Sequence, residues 1–246
     1  ENTNTFVAWQ WKANGGTTTT NDASATGIGN TDSVYQANTT AGFSIVTFSG
    51  TGSGMTVAHG LGGTPTLIIS KARNSDENWS VHTTVIDGSL DYLRLSETDA
   101  KGDSGFSLPT STVFGYNGSN NYVAYCFRSI QGYSKIGRYV GNGSTDGTFA
   151  YTGFKPAWVL VKSVDVAQSW QLSDSARNPF NVVNRRLAPN DTSAESTVHS
   201  WIDFLSNGFK IRINDAAYNN NGQKYLYIAF AENPFCSSKG VPTTAR

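Results

Sequence analysis

The chain carries little charge. Only 15% of its 246 residues are Asp, Glu, Lys or Arg, and 18 cations balance 18 anions, whereas an ordinary soluble domain is about 25% charged. The Lys and Arg residues are scattered, with Arg185 and Arg186 the only adjacent pair. Proteins that bind nucleic acid by neutralising phosphates need a basic face. The composition therefore predicts that nucleic acid is not a partner.

Long apolar runs are also missing. The longest one, Tyr225–Ala231, is much shorter than the roughly 20 residues that a membrane helix needs. The first residues, Glu1–Thr5, have neither a basic stretch nor an apolar one, so no signal peptide is visible. The sequence predicts no membrane insertion.

Groups for redox, metal or nucleophilic chemistry are few. Cys126 lies in an apolar run and Cys236 in a polar tail, which favours two free thiols over a disulfide between them. The disulfide remains an open alternative. His59, His82 and His199 are accompanied by no Gly-x-Ser-x-Gly turn and no close Cys–His pair. Metal binding by the three would require the fold to bring them together. We therefore expect no cofactor and no metal.

Paired carboxylates for sugar hydrolysis are not apparent either. Sandwich hydrolases of the laminarinase type carry two Glu and an Asp alternating on one strand, and this chain has no Glu-x-Asp-x-Glu. Asp76 and Glu77 would point to opposite faces of a strand, and most other acidic residues fall in predicted turns. The sequence predicts a protein without enzymatic chemistry, with a hydrolase as the minor alternative.

The composition instead favours strands and turns. The chain has 25 Gly, 12% aromatic residues and a single Met, together with many Thr, Ser and Asn residues. Aromatic and β-branched residues prefer strands, while Gly and Asn prefer turns. The predicted fold class is all-β. Ser193–Leu205 is the best helix candidate, because four apolar residues fall at helical spacing there, namely Val198, Trp201, Ile202 and Leu205.

An internal repeat organises the chain. A strand after glycine, a glycine turn, an apolar strand after proline, a Trp-centred strand and an Asn/Gly hairpin follow one another twice. Such repetition predicts two units of one architecture related by duplication. The landmarks are Gly42 and Gly132, 90 positions apart, Pro65 and Pro156, and Trp79 and Trp170, both pairs 91 apart, and Tyr116 and Tyr218, 102 apart.

These landmarks predict the domain organisation. Two tandem β-sandwich, jelly-roll-like units span residues 42–131 and 132–235, and a polar tail spans 236–246. Residues 1–41 are predicted to hold the closing strand of a preceding unit and a long Gly/Thr/Asn-rich N-terminal arm. Two alternatives stay open, since the first strand could belong to this domain and the arm could be a long surface loop. The opening strand of the first unit is apolar on both sides, which indicates strands between two layers.

The aromatic residues offer candidate contacts with sugars, because flat rings stack on pyranose faces. Trp79 and Trp170 recur at equivalent positions, which favours packing over ligand binding for them. The tips of the two Asn/Gly hairpins are less constrained, so they are the better candidates for binding. The predicted contact residues are Tyr116, Asn117, Asn120 and Asn121 in the first unit and Tyr218, Asn219, Asn220 and Asn221 in the second.

The order of motifs resembles a known group of proteins. Gly42–Val46, His59–Gly62, the strand after Pro65 and the terminal Ala229–Phe235 are similar to the C-terminal region of tailed-phage virion proteins, especially of marine phages. In those proteins this region often follows a concanavalin-like (laminin-G-type) sandwich. The resemblance covers nearly all of the chain from Phe6 to Arg246 and carries no catalytic signature and no individual binding residue.

The resemblance implies a structural or adhesive role in the virion. The leading expectation is a tail-fibre or receptor-binding component that contacts the host surface, with glycan as receptor, other virion proteins as partners and a homotrimer as the favoured oligomer. Capsid decoration, or a fibre shaft, is the structural alternative. A glycan depolymerase that assembles carboxylates across subunits is the enzymatic one.

Overall fold

The structure, a computed structural model, describes residues 7–234. About 42% of these residues are in strands and about 2% in helix, so the fold is all-β as predicted. The elements are β1 (Thr19–Asn21), α1 (Ala23–Thr26), β2 (Ser33–Asn38), β3 (Phe43–Ser49), β4 (Gly52–Ala58), β5 (Leu67–Ala72), β6 (Ser80–Thr83), β7 (Asp91–Arg94), β8 (Gly102–Asp103), β9 (Val113–Gly118), β10 (Asn121–Phe127), β11 (Ser134–Val140), β12 (Phe149–Tyr151), β13 (Pro156–Ser163), β14 (Gln171–Asp174), β15 (Ile202–Leu205), β16 (Gly208–Ile211) and β17 (Lys224–Ala231).

These strands form four antiparallel sheets. In the first unit, a large sheet of order β1-β2-β3-β10-β5-β6-β7-β8 lies with a small sheet of β4 and β9. In the second unit, a large sheet of order β11-β17-β13-β14 accompanies a small sheet of order β12-β16-β15. The orders β3-β10-β5-β6 and β11-β17-β13-β14 are the same path through equivalent strands. The two units therefore share one architecture.

The pairing registers show how closely the duplication is kept. Leu67 of β5 pairs with Thr83 of β6, and the residues 91 positions later, Trp158 and Asp174, pair in the same way. The strand β10 corresponds to β17 at an offset of 103, since Phe48 pairs with Tyr122 as Tyr139 pairs with Tyr225. The register also shifts one landmark. The backbone oxygen of Gly42 accepts a hydrogen bond from the backbone nitrogen of Arg128. In the second unit the equivalent acceptor is the backbone oxygen of Tyr133, one residue after the sequence landmark Gly132.

The predicted position of strands between two layers is confirmed. Along β3, Val46 and Phe48 point into a core between the large and small sheets of the first unit, while Phe43 points into a second core. That second core, which we call the central core, is formed by the facing large sheets of both units. A third core lies between the two sheets of the second unit. Alternating side chains of one strand can serve two cores because successive residues point to opposite faces.

The N-terminal segment differs from the prediction. Residues 7–12 form no strand, and Glu1–Phe6 lie outside the described residues. Trp11 instead packs on Phe127 of the first unit and on Trp158 and Phe230 of the second, with ring centroids 5.3–6.2 Å apart. The aromatic side chain of Trp11 is thus packed in the central core although its backbone pairs with no strand. The aromatic run indicated burial correctly, but not the strand.

The arm is more regular than predicted. The strand β2 pairs antiparallel with β3 and adds β1 to the large sheet of the first unit. Asp22 begins the short helix α1, its carboxylate accepting from the backbone nitrogen of Ala25. Sequence patterns missed these strands because β2 carries only two large apolar residues, and its stability comes from ladder hydrogen bonds to β3.

The helix candidate Ser193–Leu205 is wrong. Its last part forms β15, which pairs with β16, and its first part is irregular apart from a bridge between Ser196 and Arg186. Trp201 and Phe204 are buried in the core of the second unit. A helical spacing of four apolar residues also fits a short strand preceded by a buried loop, and the sheet provided the partners.

Candidate functional site

The predicted hairpin tips are corners between sheets. Strand β9 pairs with β4 in the small sheet, whereas the next strand, β10, pairs with β3 and β5 in the large sheet. Gly118 makes this corner with a φ of 143°, and a Cβ there would clash with the hydroxyl of Tyr122. Because the chain crosses between layers, residues beside the corner enter the core.

Tyr116 is therefore wrong as a surface contact. Its side chain is 6% exposed and lies among the rings of Phe48, Phe106 and Tyr122. Its hydroxyl lies 3.0 Å from Ser70 Oγ, and burial raises its pKa to about 12. It is a core residue with a satisfied hydroxyl.

The asparagines of the first corner have structural bonds. Asn117 accepts from the backbone nitrogen of Gly54, 2.7 Å away, and Asn120 donates to the carboxylate of Glu77. Asn121 accepts from Ser49 Oγ at 2.9 Å and begins β10. Asn117 and Asn121 are exposed and Asn120 is half-buried, so all three remain reachable from solvent.

The second corner is mostly interior. Tyr218 is 1% exposed and stacks on Trp201, and Asn219 is fully buried. The amide of Asn219 donates to Asn142 Oδ1 and to the backbone oxygen of Ser144, which fixes the turn after β11. Tyr218 and Asn219 are thus wrong as contact residues. Asn220 and Asn221 are exposed.

The chain brings one of the predicted residues into a polar groove. The groove has a volume of about 630 Å³ and lies on the first unit, where the arm, the end of β3, and the segments beside β5 and β10 meet. Two of its lining side chains, Val34 and Phe48, are apolar, and the rest carry hydroxyl, amide, carboxylate or guanidinium groups. The lining residues are Thr20, Asn30, Thr31, Asp32, Ser33, Val34, Thr47, Phe48, Ser49, Thr51, Arg73 and Asn121.

Part of this lining is committed to the fold. Asn30 binds β4 through both ends of its amide, to Thr56 N at 2.7 Å and to Gly54 O at 2.9 Å. Asp32 accepts from the backbone nitrogen of Ala23 at 2.8 Å through one carboxylate oxygen. These bonds hold the arm against the sheet and so build the wall of the groove.

Other groups in the groove are free to bind. Among residues 7–234, no hydrogen bond or ion pair holds the exposed guanidinium of Arg73, and none holds the hydroxyls of Thr20 and Thr51. Asn121 uses its side-chain oxygen on Ser49, which leaves its amide NH₂ available. A guanidinium, an amide and two hydroxyls around an open groove can form directional hydrogen bonds with a polyhydroxylated ligand.

Sequence reasoning found Asn121 and missed the others. Arg73 follows the predicted apolar strand by two positions, and nothing in its neighbourhood marks it as a contact. Thr20 and Asp32 belong to the arm, which reaches the groove only because β2 pairs with β3. That pairing has no short-range signal in the sequence.

The buried titratable groups lack access to a ligand. Burial lowers the pKa of both His59 and His82 to about 4 and raises the pKa of Cys126 to about 12. Cys126 is a free thiol in the core of the first unit, and Cys236 lies outside the described residues. These side chains contribute to packing, with His59 accepting from the backbone nitrogen of Leu61.

A cluster of three aspartates is closed by a lysine. Lys101 Nζ lies 2.6 Å from Asp91, 2.9 Å from Asp87 and 3.2 Å from Asp103. The side chain of Asp91 is fully buried, and burial raises its pKa against the opposing effect of the lysine. The ammonium occupies the place where these carboxylates converge. Within residues 7–234, no group of His, Cys, Asp or Glu side chains has an arrangement that could hold a metal ion.

The repeated tryptophans pack, although not equally. Trp170 is 1% exposed in the central core, and its indole nitrogen donates to the backbone oxygen of Arg94 in the other unit, 2.8 Å away. Trp79 is half-buried and stacks on Tyr125.

No helix in the described part of the chain is long and apolar enough to span a membrane.

Comparison with known protein families places the chain as follows. The model of a family described as a domain of unknown function (DUF7483) matches residues 1–234. No curated protein and no solved structure matches the chain.

Proposed function

The chain belongs to the DUF7483 family of domains of unknown function, and we propose that it is a non-enzymatic virion protein of the tail-fibre or receptor-binding type. In this proposal it contacts a glycan of the host cell surface through the polar groove of the first unit. It acts without a cofactor, beside other virion proteins in the extracellular particle, and as a homo-oligomer.

The observation that supports a glycan ligand is the set of free polar groups in the groove. Arg73, Thr20, Thr51 and the amide of Asn121 border a space of about 630 Å³, enough for a short oligosaccharide. The lining also includes the apolar residues Val34 and Phe48, of which Phe48 is largely buried. Sugars present hydroxyl groups around small apolar faces, and a mixed lining of this kind complements them.

The phage setting rests on the motif resemblance. The scaffold suits that setting, since only 15% of its residues are charged and ion pairs at a protein surface are weakened by salt. About 42% of the described residues lie in strands, where backbone ladders satisfy their N–H and C=O groups. These features support a protein built to remain folded outside a cell.

Binding to a panel of purified bacterial surface polysaccharides tests the proposal. We expect saturable binding of the full chain to at least one of them, and the variant Arg73→Ala should bind it about tenfold or more weakly, because a hydrogen bond from a charged group contributes about 1.5–3 kcal/mol. The control is Asn221→Ala, which removes an exposed asparagine outside the groove.

The outcomes separate the alternatives. No binding to any surface polysaccharide or to host cells would contradict the proposal and favour a purely structural role in the capsid or fibre. Equal losses in Arg73→Ala and Asn221→Ala would contradict the assignment to the groove. Release of oligosaccharides from the polysaccharide would identify a depolymerase instead.

A further inference from the structure

The arm covers one side of the first unit. On the large sheet, Val34 of β2 pairs with Thr47 of β3. On the small sheet, Asn30 donates its backbone N–H to Thr56 O at 3.0 Å, and Ser33 Oγ donates to Ala58 O at 3.2 Å. The arm therefore closes the edges of both sheets at once. Ala58 is 3% exposed as a result.

The same side of the second unit is open. The strand β11, equivalent to β3, is an edge strand, and β12, equivalent to β4, is an edge strand of the small sheet. We call these two edges the open side, represented by Lys135, Arg138, Val140, Phe149 and Tyr151. Only six residues, 128–133, separate β10 from β11, too few to provide a covering strand like β2.

Backbone groups on the open side point outward. Ser134 bonds outward to Ile130, and Val140 O accepts outward from Thr148 Oγ1 at 2.7 Å. Alternate residues of a strand direct their backbone groups to the same side, so the N–H and C=O of Arg138 also face outward. Within residues 7–234 they have no hydrogen-bond partner, and the same holds for Phe149 at the edge of β12.

The side chains there are apolar where exposure would favour polar ones. Tyr151 is 63% exposed, Val140 48% and Phe149 42%. Tyr151 occupies the position of the covered Ala58, and Phe149 that of Thr56. Exposed apolar groups beside an unpaired edge are a liability for a solitary protein. Their presence on the uncovered unit indicates that a partner covers them.

Charge distinguishes between possible partners. The open side and its rim carry four cations and two anions, whereas the arm over residues 13–41 carries Asp22 and Asp32 and no Lys or Arg. Pairing of β11 with β11 of a second copy would bring two sets of cations together. A strand that is acidic like the arm would instead place its carboxylates beside these cations. The rim residues are Lys135, Arg138, Lys210, Arg212, Asp146 and Asp203.

We propose that the open side of the second unit binds an extended, acidic strand of a different polypeptide. The strand adds to β11 and covers Phe149 and Tyr151, as the arm adds to β3 and covers β4. Backbone hydrogen bonds to Arg138 and Phe149 set the register of the bound strand, and the exposed apolar side chains become buried beneath it. The guanidinium of Arg138 favours an acidic side chain in that strand. This interaction is independent of the glycan groove, which lies on the first unit.

The probe is a capped synthetic peptide of residues 27–40, the part of the arm that covers both edges, titrated into the full chain. We expect saturable binding with one peptide per chain, weaker at high salt. The variant Arg138→Glu should bind about tenfold or more weakly, since a favourable charge becomes an unfavourable one. The control Lys12→Glu makes a charge reversal at an exposed residue that lies outside the open side, and it should leave peptide binding unchanged.

A second pair of measurements tests the backbone geometry. N-methylation of the peptide at Val34, which in the first unit faces the equivalent of Arg138, should abolish binding, whereas a peptide of scrambled sequence tests non-specific attraction. Absence of saturable binding to the unaltered chain would overturn the proposal, as would equal binding by Arg138→Glu. Self-association of the full chain that is lost in Arg138→Glu would identify a second copy as the occupant and would also overturn it.

Discussion

The two tryptophans of the repeat allow a prediction about the contact between the units. Trp170 is fully buried in the central core and bonds to Arg94 of the first unit, while Trp79, 91 positions earlier, is half-buried on the surface of its own unit. Replacing each tryptophan by Ala therefore compares the loss of the same side chain at two equivalent positions. One position lies between the units and the other lies away from their contact.

The expected magnitudes follow from burial. A fully buried tryptophan removes roughly 200 Å² from water, worth about 5 kcal/mol at about 25 cal/mol per Å², and truncation of buried aromatic residues costs about 3–5 kcal/mol. The unmade bond to Arg94 adds about 1 kcal/mol. We expect Trp170→Ala to lower the free energy of unfolding by about 5 kcal/mol and Trp79→Ala by about 2 kcal/mol.

Urea unfolding of the full chain, followed by circular dichroism and by the fluorescence of the remaining tryptophans, measures both values. Because the central core contains residues of both units, we expect a single transition for the unaltered chain. Trp170→Phe keeps a folded protein available for comparison and should lose about 1–2 kcal/mol, chiefly the bond to Arg94 and part of the ring. Equal losses in the two Ala variants, or two separate transitions in the unaltered chain, would refute the assignment of Trp170 to a shared core.

Two further predictions concern buried ionisable side chains. Lys101→Met leaves the fully buried Asp91 without its cation, so we expect the free energy of unfolding in urea at pH 7 to fall by about 3 kcal/mol, whereas Lys135→Met should change it little. The double variant Lys101→Met with Asp91→Asn should recover part of this loss. No loss of stability in Lys101→Met would contradict the prediction. Burial lowers the pKa of His82 to about 4 from an ordinary 6.5, so the unfolded chain binds more protons and stability falls as the pH drops from 6.5 to 4. His82→Leu should remove about 3 kcal/mol of that loss, measured by urea unfolding at several pH values across this range. A pH profile that is unchanged in His82→Leu would be inconsistent with a neutral buried ring.

Much of the fold could be predicted from local pattern. Composition indicated strands, and the recurrence of Pro65 at Pro156 and Trp79 at Trp170 indicated a duplication that the equal pairing registers confirm. These signals are available in sequence because each strand has its own alternation of side chains. The helix at Ser193–Leu205 failed for the complementary reason, since four spaced apolar residues fit either period when the segment is short.

The candidate site was less predictable. Asn-rich turns indicated exposed tips, and they became corners because β9 and β10 belong to different sheets. Tyr116, Tyr218 and Asn219 were then drawn into the interior, leaving Asn121 beside Arg73 in the groove. Whether successive strands pair with each other or with distant partners depends on the packing of both layers, which no local pattern records.

The sequence by itself determined most strands of the two repeated units, their alternation and their repetition, because these depend on the preferences of neighbouring residues. The tertiary structure decided which edges are covered. One arm closes one unit, and the duplicated strands of the other unit keep an unpaired edge with Phe149 and Tyr151 exposed. Edge pairing depends on where distant segments meet, so equivalent strands acquired different surroundings.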